Sequence, residues 1–129
     1  MKTIIDLFEE SVEKFSGNPY LWEKVDDTFI PTSYQQTKEV VYKLAAGLVS
    51  LGAKNNDTIA LLSEGRKMWV ISELAILYTG AINVPLSIKL ESSDLLFRLV
   101  HSDTSIIIVS GNQAHKIKAI KAELPLVKT

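Results

Sequence analysis

Residues 57–66 read DTIALLSEGR. Within them Ile59–Leu62 is apolar at every position, and two more short runs, apolar but for Asn83, follow at Ala81–Pro85 and Ile106–Val109. A strand with one wet face alternates apolar and polar residues. Short runs without that alternation belong to strands covered on both faces, hence to a parallel sheet with crossover helices. Ile59, Ile82 and Ile106 lie 23 and 24 residues apart, room for a strand, a turn and a helix of about a dozen residues. The pattern predicts a β-α-β-α-β unit with helices over 66–79 and 92–102 and a last helix over 112–124. The expected fold class is α/β, with a three-stranded parallel core and flanking helices.

Working back toward the N-terminus, Thr3 and Asp6 have the spacing of a helix capping box. Ile4, Phe8, Val12 and Phe15 then share one helical face, and Gly17 with Pro19 ends it. Tyr20–Val25 and Thr28–Pro31 form two short runs joined at Asp26-Asp27, a tight hairpin. Ser33 and Gln36 make a second capping box. The stripe Tyr34, Thr37, Val41, Leu44, Ala45, Leu48 and Leu51 follows, closed by Gly52. The chain therefore divides into a helix, hairpin and long helix over 1–57 and the β-α-β-α-β-α unit over 58–124, with no internal repeat or linker between them.

The helix expected at 66–79 is apolar nearly all round, with Ser72, Glu73 and Thr79 as its polar relief. Such a helix is buried on all sides, whereas a three-stranded sheet covers one. Its opposite face, including some of Met68, Ile71, Ala75 and Tyr78, is expected to meet another part of a longer chain or a second copy.

Composition excludes several classes of function. A chain of 129 residues with a net charge of −1 carries no electrostatic footprint for nucleic acid or an anionic membrane. The absence of cysteine rules out a disulfide framework, a thiolate nucleophile and a zinc-thiolate site. Met1-Lys2-Thr3 leads into an amphipathic segment rather than a signal-peptide core, and a cytoplasmic location is expected.

Candidate chemistry is sparse. His101-Ser102-Asp103 has the letters of a catalytic triad, but adjacent residues do not build a relay, and a histidine suits a helix C-terminus. Asp26-Asp27 is explained by the hairpin turn and lacks a third metal ligand. The turn Ser63-Glu64-Gly65-Arg66 stands where phosphate loops occur, after a buried strand and before a helix. Yet it has one glycine, and Glu64 would repel a phosphate. The loop Ser110-Gly111-Asn112-Gln113 is little better supplied. His115, Lys116, Lys118 and Lys121 line the polar side of the last helix, a solvated basic face with a phosphate contact as the sharper alternative. No catalytic residue and no metal ligand is expected in this chain.

An ordered series runs through the whole chain. It comprises Tyr34 after Thr32-Ser33, Gly47-Leu48 with Leu51-Gly52, Asp57-Thr58-Ile59-Ala60-Leu61, Leu62-Ser63-Glu64-Gly65-Arg66 with Trp69, Gly80-Ala81-Ile82-Asn83-Val84-Pro85, and His101-Ser102-Asp103. The series resembles the N-terminal segment of long-chain fatty-acid–CoA ligases, within the adenylate-forming (AMP-binding) superfamily. It departs from the family at Asn56-Asp57, where Gly-Asp is usual, and at Gly65, where asparagine is frequent. The resemblance implies a two-step reaction: a fatty-acid carboxylate attacks Mg-ATP to give an acyl-adenylate and pyrophosphate, and the CoA thiol then displaces AMP. It implies ATP, Mg²⁺ and CoA for the parent enzyme, whose location is cytoplasmic or peripheral at a membrane. The family's phosphate loop ending in Pro-Lys, its Tyr-Gly-x-Thr-Glu motif and its C-terminal lysine are not among these residues. The chain is accordingly expected to be an N-terminal fragment, inactive alone, whose partner is the rest of the parent enzyme and which self-associates when isolated. Some relatives approach the CoA nucleotide with arginines after the third strand. Lys116 and Lys118 stand in that region here and are the candidate contacts to a CoA phosphate.

A second reading stays open at the level of the residues: a self-contained flavodoxin-like or receiver-like binding module. A receiver requires acidic residues at the C-terminal ends of its strands, and these strands end in Leu62-Ser63, Pro85-Leu86 and Val109-Ser110. A flavin site requires a Ser/Thr-rich phosphate loop.

Overall fold

The computed structural model describes residues 3–124 and Val127. Helix α1 spans Ile4–Phe15. The capping box at its start is complete: Asp6 N–H donates to Thr3 Oγ1 at 3.1 Å, and Thr3 N–H donates to Asp6 Oδ2 at 3.0 Å. Phe8 and Val12 are buried. Ile4 and Phe15, at the two ends of the same stripe, are exposed, because only the middle turns of the helix are covered.

The hairpin pairs β1 (Pro19–Val25) with β2 (Thr28–Ser33), Val25 opposite Thr28. Asp26 and Asp27 take φ of +49° and +64°, the left-handed pair of a type I′ turn, and aspartate tolerates that region better than most residues. Helix α2, Tyr34–Ser50, opens with a second reciprocal box between Ser33 and Gln36. It buries Thr37, Val41 and Leu48. Leu51 departs from the expected stripe: it falls just past the helix and is 51% exposed.

The second sheet has the order β4-β3-β5, built from β3 (Thr58–Leu62), β4 (Ile82–Leu86) and β5 (Ile106–Val109). Both pairings are parallel, Thr58 opposite Ile82 and Ile59 opposite Ile106, so the expected α/β core is present. Alternate residues of β3 serve two cores. Ile59 and Leu61 pack with the helices of the N-terminal half, and Ala60 and Leu62 pack on the other face. The two-sided burial read from the sequence holds fully for β3 and fails for β4, whose Ile82 and Pro85 are exposed. As an edge strand, β4 accommodates a proline that a central strand would not.

Helix α3, Lys67–Tyr78, links β3 to β4, and α4, Ser92–His101, links β4 to β5. The expected open face of α3 is absent. Ile71 is 2% exposed and Ala75 0%, packed in one cluster with Phe8, Val12, Val41 and Leu48. The helix lies between the sheet and the chain's own α1 and α2, a covering that periodicity does not reveal because it depends on how the two halves dock. Met68 alone of the four named residues is exposed, at 41%. Gly80 follows the helix at φ +78°, the left-handed region that favours glycine, and a Cβ there would lie 2.4 Å from Asn55 Oδ1 and force that side chain to move.

The last helix is shorter than the spacing predicts. Helix α5 covers Ala114–Lys118, and a separate 3₁₀ turn covers Lys121–Glu123. Ala114, Ile117, Ile120 and Leu124, which helical spacing puts on one inward face, are buried except for Ala114, which is half-buried. However, Ile120 leaves helical geometry (φ −120°, ψ 3°) and Leu124 is extended, in keeping with the bias that Pro125 imposes on the residue before it. Among the described residues no helix is long and apolar enough to cross a membrane.

Candidate functional site

In an open parallel sheet of order 2-1-3, ligands bind at the switch point, beyond the C-terminal ends of the first strand and of the third, which lies on its other side. Here those strands are β3 and β5. After β3 the chain enters α3 on one face, while α5 after β5 joins α4 on the other. The crevice is therefore bounded by Ser63–Arg66 and Ser110–Gln113, the two loops singled out by sequence.

These loops are tied to each other. Gln113 Nε2 donates to Glu64 Oε2 at 2.7 Å, Arg66 Nη2 lies 3.0 Å from Glu64 Oε1, and Ser110 N–H donates to Leu62 O at 3.0 Å. The Glu64 carboxyl is held down to about 2, chiefly by the Gln113 amide, then by the nearby Ser110 hydroxyl, with Arg66 contributing less. A carboxylate ionised at every physiological pH thus occupies the crevice, with its charge directed at protein donors. Ser110 Oγ, beside the carboxylate but short of hydrogen-bonding geometry, and Gln113 Oε1 are buried without a partner. The arrangement fits loop closure and repels phosphate. Sequence reading identified both loops but not the Glu64–Gln113 bond that joins them, since nothing local marks a contact across 49 residues.

The two candidate lysines are not brought together. Lys116 Nζ donates to Ile88 O at 2.6 Å, and Ser92 Oγ donates to Lys116 O at 3.1 Å, so this side chain ties α5 to the segment before α4. Lys118 is exposed on the far end of the short helix. Among the described residues no group of acidic or histidine side chains has the geometry to hold a metal ion. His101 stacks on Phe97 with ring centroids 5.7 Å apart, and Ser102 Oγ bonds to Leu99 O and to the Thr104 hydroxyl. No relay exists in that tripeptide.

A second polar cluster lies on the other side of α3. The hydroxyls of Tyr42 and Tyr78 both donate to Glu9 Oε1, and Lys38 Nζ is 2.9 Å from Glu9 Oε2. Burial pulls the Glu9 carboxyl upward, but the hydrogen bonds from Tyr42, Tyr78 and Lys38 together hold it below the usual range. Burial and the adjacent Glu9 push the Tyr78 hydroxyl well up, so it remains a donor. The cluster joins α1, α2 and α3 through one carboxylate, which clasps the three helices together.

Parallel strands, crossover helices on both faces and a crevice closed by its own loops define an open α/β scaffold. Residues 8–129 match the AMP-binding enzyme family, and the chain belongs to that family. It is 30% identical over 110 residues to the chloroplastic long-chain-fatty-acid–[acyl-carrier-protein] ligase AEE15 of Arabidopsis thaliana, covering 85% of this chain and 15% of that protein. Long chain acyl-CoA synthetase 4 of the same plant is 32% identical over 122 residues, 91% of this chain and 18% of the relative. The chain thus spans less than a fifth of the length of these relatives. The fold matches the crystal structure of the N-terminal domain of FACL13 from Mycobacterium tuberculosis with a TM-score of 0.85 at 23% identity, over 99% of this chain and 32% of that one. The family is that of adenylate-forming enzymes, and not of flavodoxins or receivers.

Proposed function

We propose that this chain is the N-terminal scaffold of a fatty-acid–CoA ligase, one that activates a fatty acid with ATP to an acyl-adenylate and passes the acyl group to CoA. The observation that carries the scaffold role is the Glu64–Gln113 bond across the switch-point crevice. Transfer to ATP requires positive charge and converging N–H groups around the phosphates. The crevice offers a carboxylate already engaged by Gln113 and Arg66 instead, which disfavours a phosphate there and supports placing the ATP site in the remainder of the enzyme. For CoA, Lys116 is engaged at the Ile88 carbonyl and Lys118 is a single exposed cation. The chain's part in the reaction is to position a sheet and its helices for the remainder of such an enzyme, which is its proposed partner.

With ATP, Mg²⁺, palmitate and CoA, the 129-residue chain is expected to release no pyrophosphate above a heat-killed control; turnover would overturn the scaffold reading. A downstream reading frame encoding a Ser/Thr/Gly-rich loop ending in Pro-Lys within the next few dozen codons would support the parent enzyme, and a native stop directly after codon 129 would count against it.

In an active ligase carrying this segment, Lys118→Ala is expected to leave the KM for CoA within about twofold. A tenfold rise, about 1.4 kcal/mol, would instead put Lys118 on a CoA phosphate.

A further inference from the structure

The outward face of α4 carries an apolar strip that no described part of the chain covers. Phe97 is 70% exposed, the most open large apolar side chain among the described residues, and Val100 is 48% exposed. With His101 stacked flat on the Phe97 ring, and with Ser93 and Leu96, they line a shallow groove. The inward face of the same helix is fully engaged through Leu95 and Leu99, 0% and 1% exposed. An unpartnered apolar surface therefore lies on α4, as another does on the hairpin at Trp22, Phe29 and Ile30, and not on α3, where periodicity placed it.

The charges beside the strip say what fits it. Asp94 in the first turn and Arg98 one turn later lie exposed along one side. Among the described residues neither has an ion-pair partner. Two copies of this helix laid antiparallel about a dyad near Leu96 and Phe97 set Asp94 of each against Arg98 of the other. The apolar strips then face one another and the helix dipoles oppose. A parallel alignment would set aspartate against aspartate. We propose that α4 is a homodimerisation face, its occupant the α4 of a second copy of this chain. One helix face buries less than a standard protein interface, so the dimer is weak, with a Kd on the order of tens to hundreds of micromolar.

Sedimentation equilibrium of the 129-residue chain from 10 to about 500 μM, with far-UV circular dichroism to verify folding, tests this. The wild type is expected to dimerise with rising concentration, and Phe97→Ser to remain monomeric. Asp94→Arg and Arg98→Asp are each expected to weaken self-association about tenfold, through like charges meeting across the dyad. An equimolar mixture of the two is expected to recover the dimer, because each variant then meets its opposite. Phe29→Ser, on the exposed hairpin, is expected to behave as wild type. A monomeric wild type across the range would overturn the proposal and leave the strip to a different chain. Dimerisation of Phe97→Ser equal to wild type, or a mixture no tighter than the separate variants, would equally overturn it.

Discussion

Ile71→Ala is expected to destabilise the chain by about 3 kcal/mol, the usual range for removing most of a buried isoleucine and leaving a cavity that closes only in part. Ile71 sits at 2% exposure, in one cluster with Phe8, Val12 and Val41 from the N-terminal helices and Ile59 and Leu61 from the central strand. Met68→Ala, three residues earlier on the same helix but 41% exposed, is expected to change stability by about 0.5 kcal/mol or less. Urea unfolding of both variants decides whether the N-terminal half covers α3. A loss below about 1 kcal/mol for Ile71→Ala would mean that this face is loosely covered after all.

The second large effect belongs to Glu9 and depends on pH. Glu9→Gln removes the charge that holds Tyr42, Tyr78 and Lys38 together, and near neutrality a loss of about 2 kcal/mol is expected, as for hydrogen bonds to a charged group. Although burial alone would raise its pKa, the net effect of the hydrogen bonds is a folded-state value lower than in the unfolded chain. The stabilisation is therefore fully present above the unfolded value of about 4.3 and is lost as the pH falls through the folded one. Wild type and Glu9→Gln should differ at pH 7, and the difference should shrink as the pH falls below the unfolded value of about 4.3. A gap that stays constant over that range would show that the carboxylate's charge is not what fastens α1.

The elements whose signals are local were legible in the sequence. Thr3/Asp6 and Ser33/Gln36 are boxes written within four residues, Asp26-Asp27 marks its own turn, and the three isoleucine-led runs announce the parallel strands and their order along the chain. What periodicity lacks is the neighbour. It placed Ile71 and Ala75 on an open face because it has no knowledge that α1 and α2 fold back over α3. It treated the three strands alike, though β4 is an edge with Ile82 and Pro85 uncovered. It extended the last helix through Ile120, where the stripe continues but the backbone does not. At the crevice the sequence supplied Glu64 and Gln113 separately, and the negative charge of Glu64 was enough to argue against a phosphate. Their bond, like the meeting of Glu9 with Tyr78, needs the fold first.

The strand order β4-β3-β5 also sets a timetable for acquiring structure. The hairpin partners of β1 and β2 are near neighbours in the chain, so they can meet early. By contrast, β3 finds one partner only after α3 is made and the other only after α4 as well. Until Ile106–Val109 has been synthesised, the most deeply buried of the described strands presents an unpaired edge. During translation that edge is the exposed, aggregation-prone element, and it is the stretch a chaperone that recognises extended apolar segments would hold.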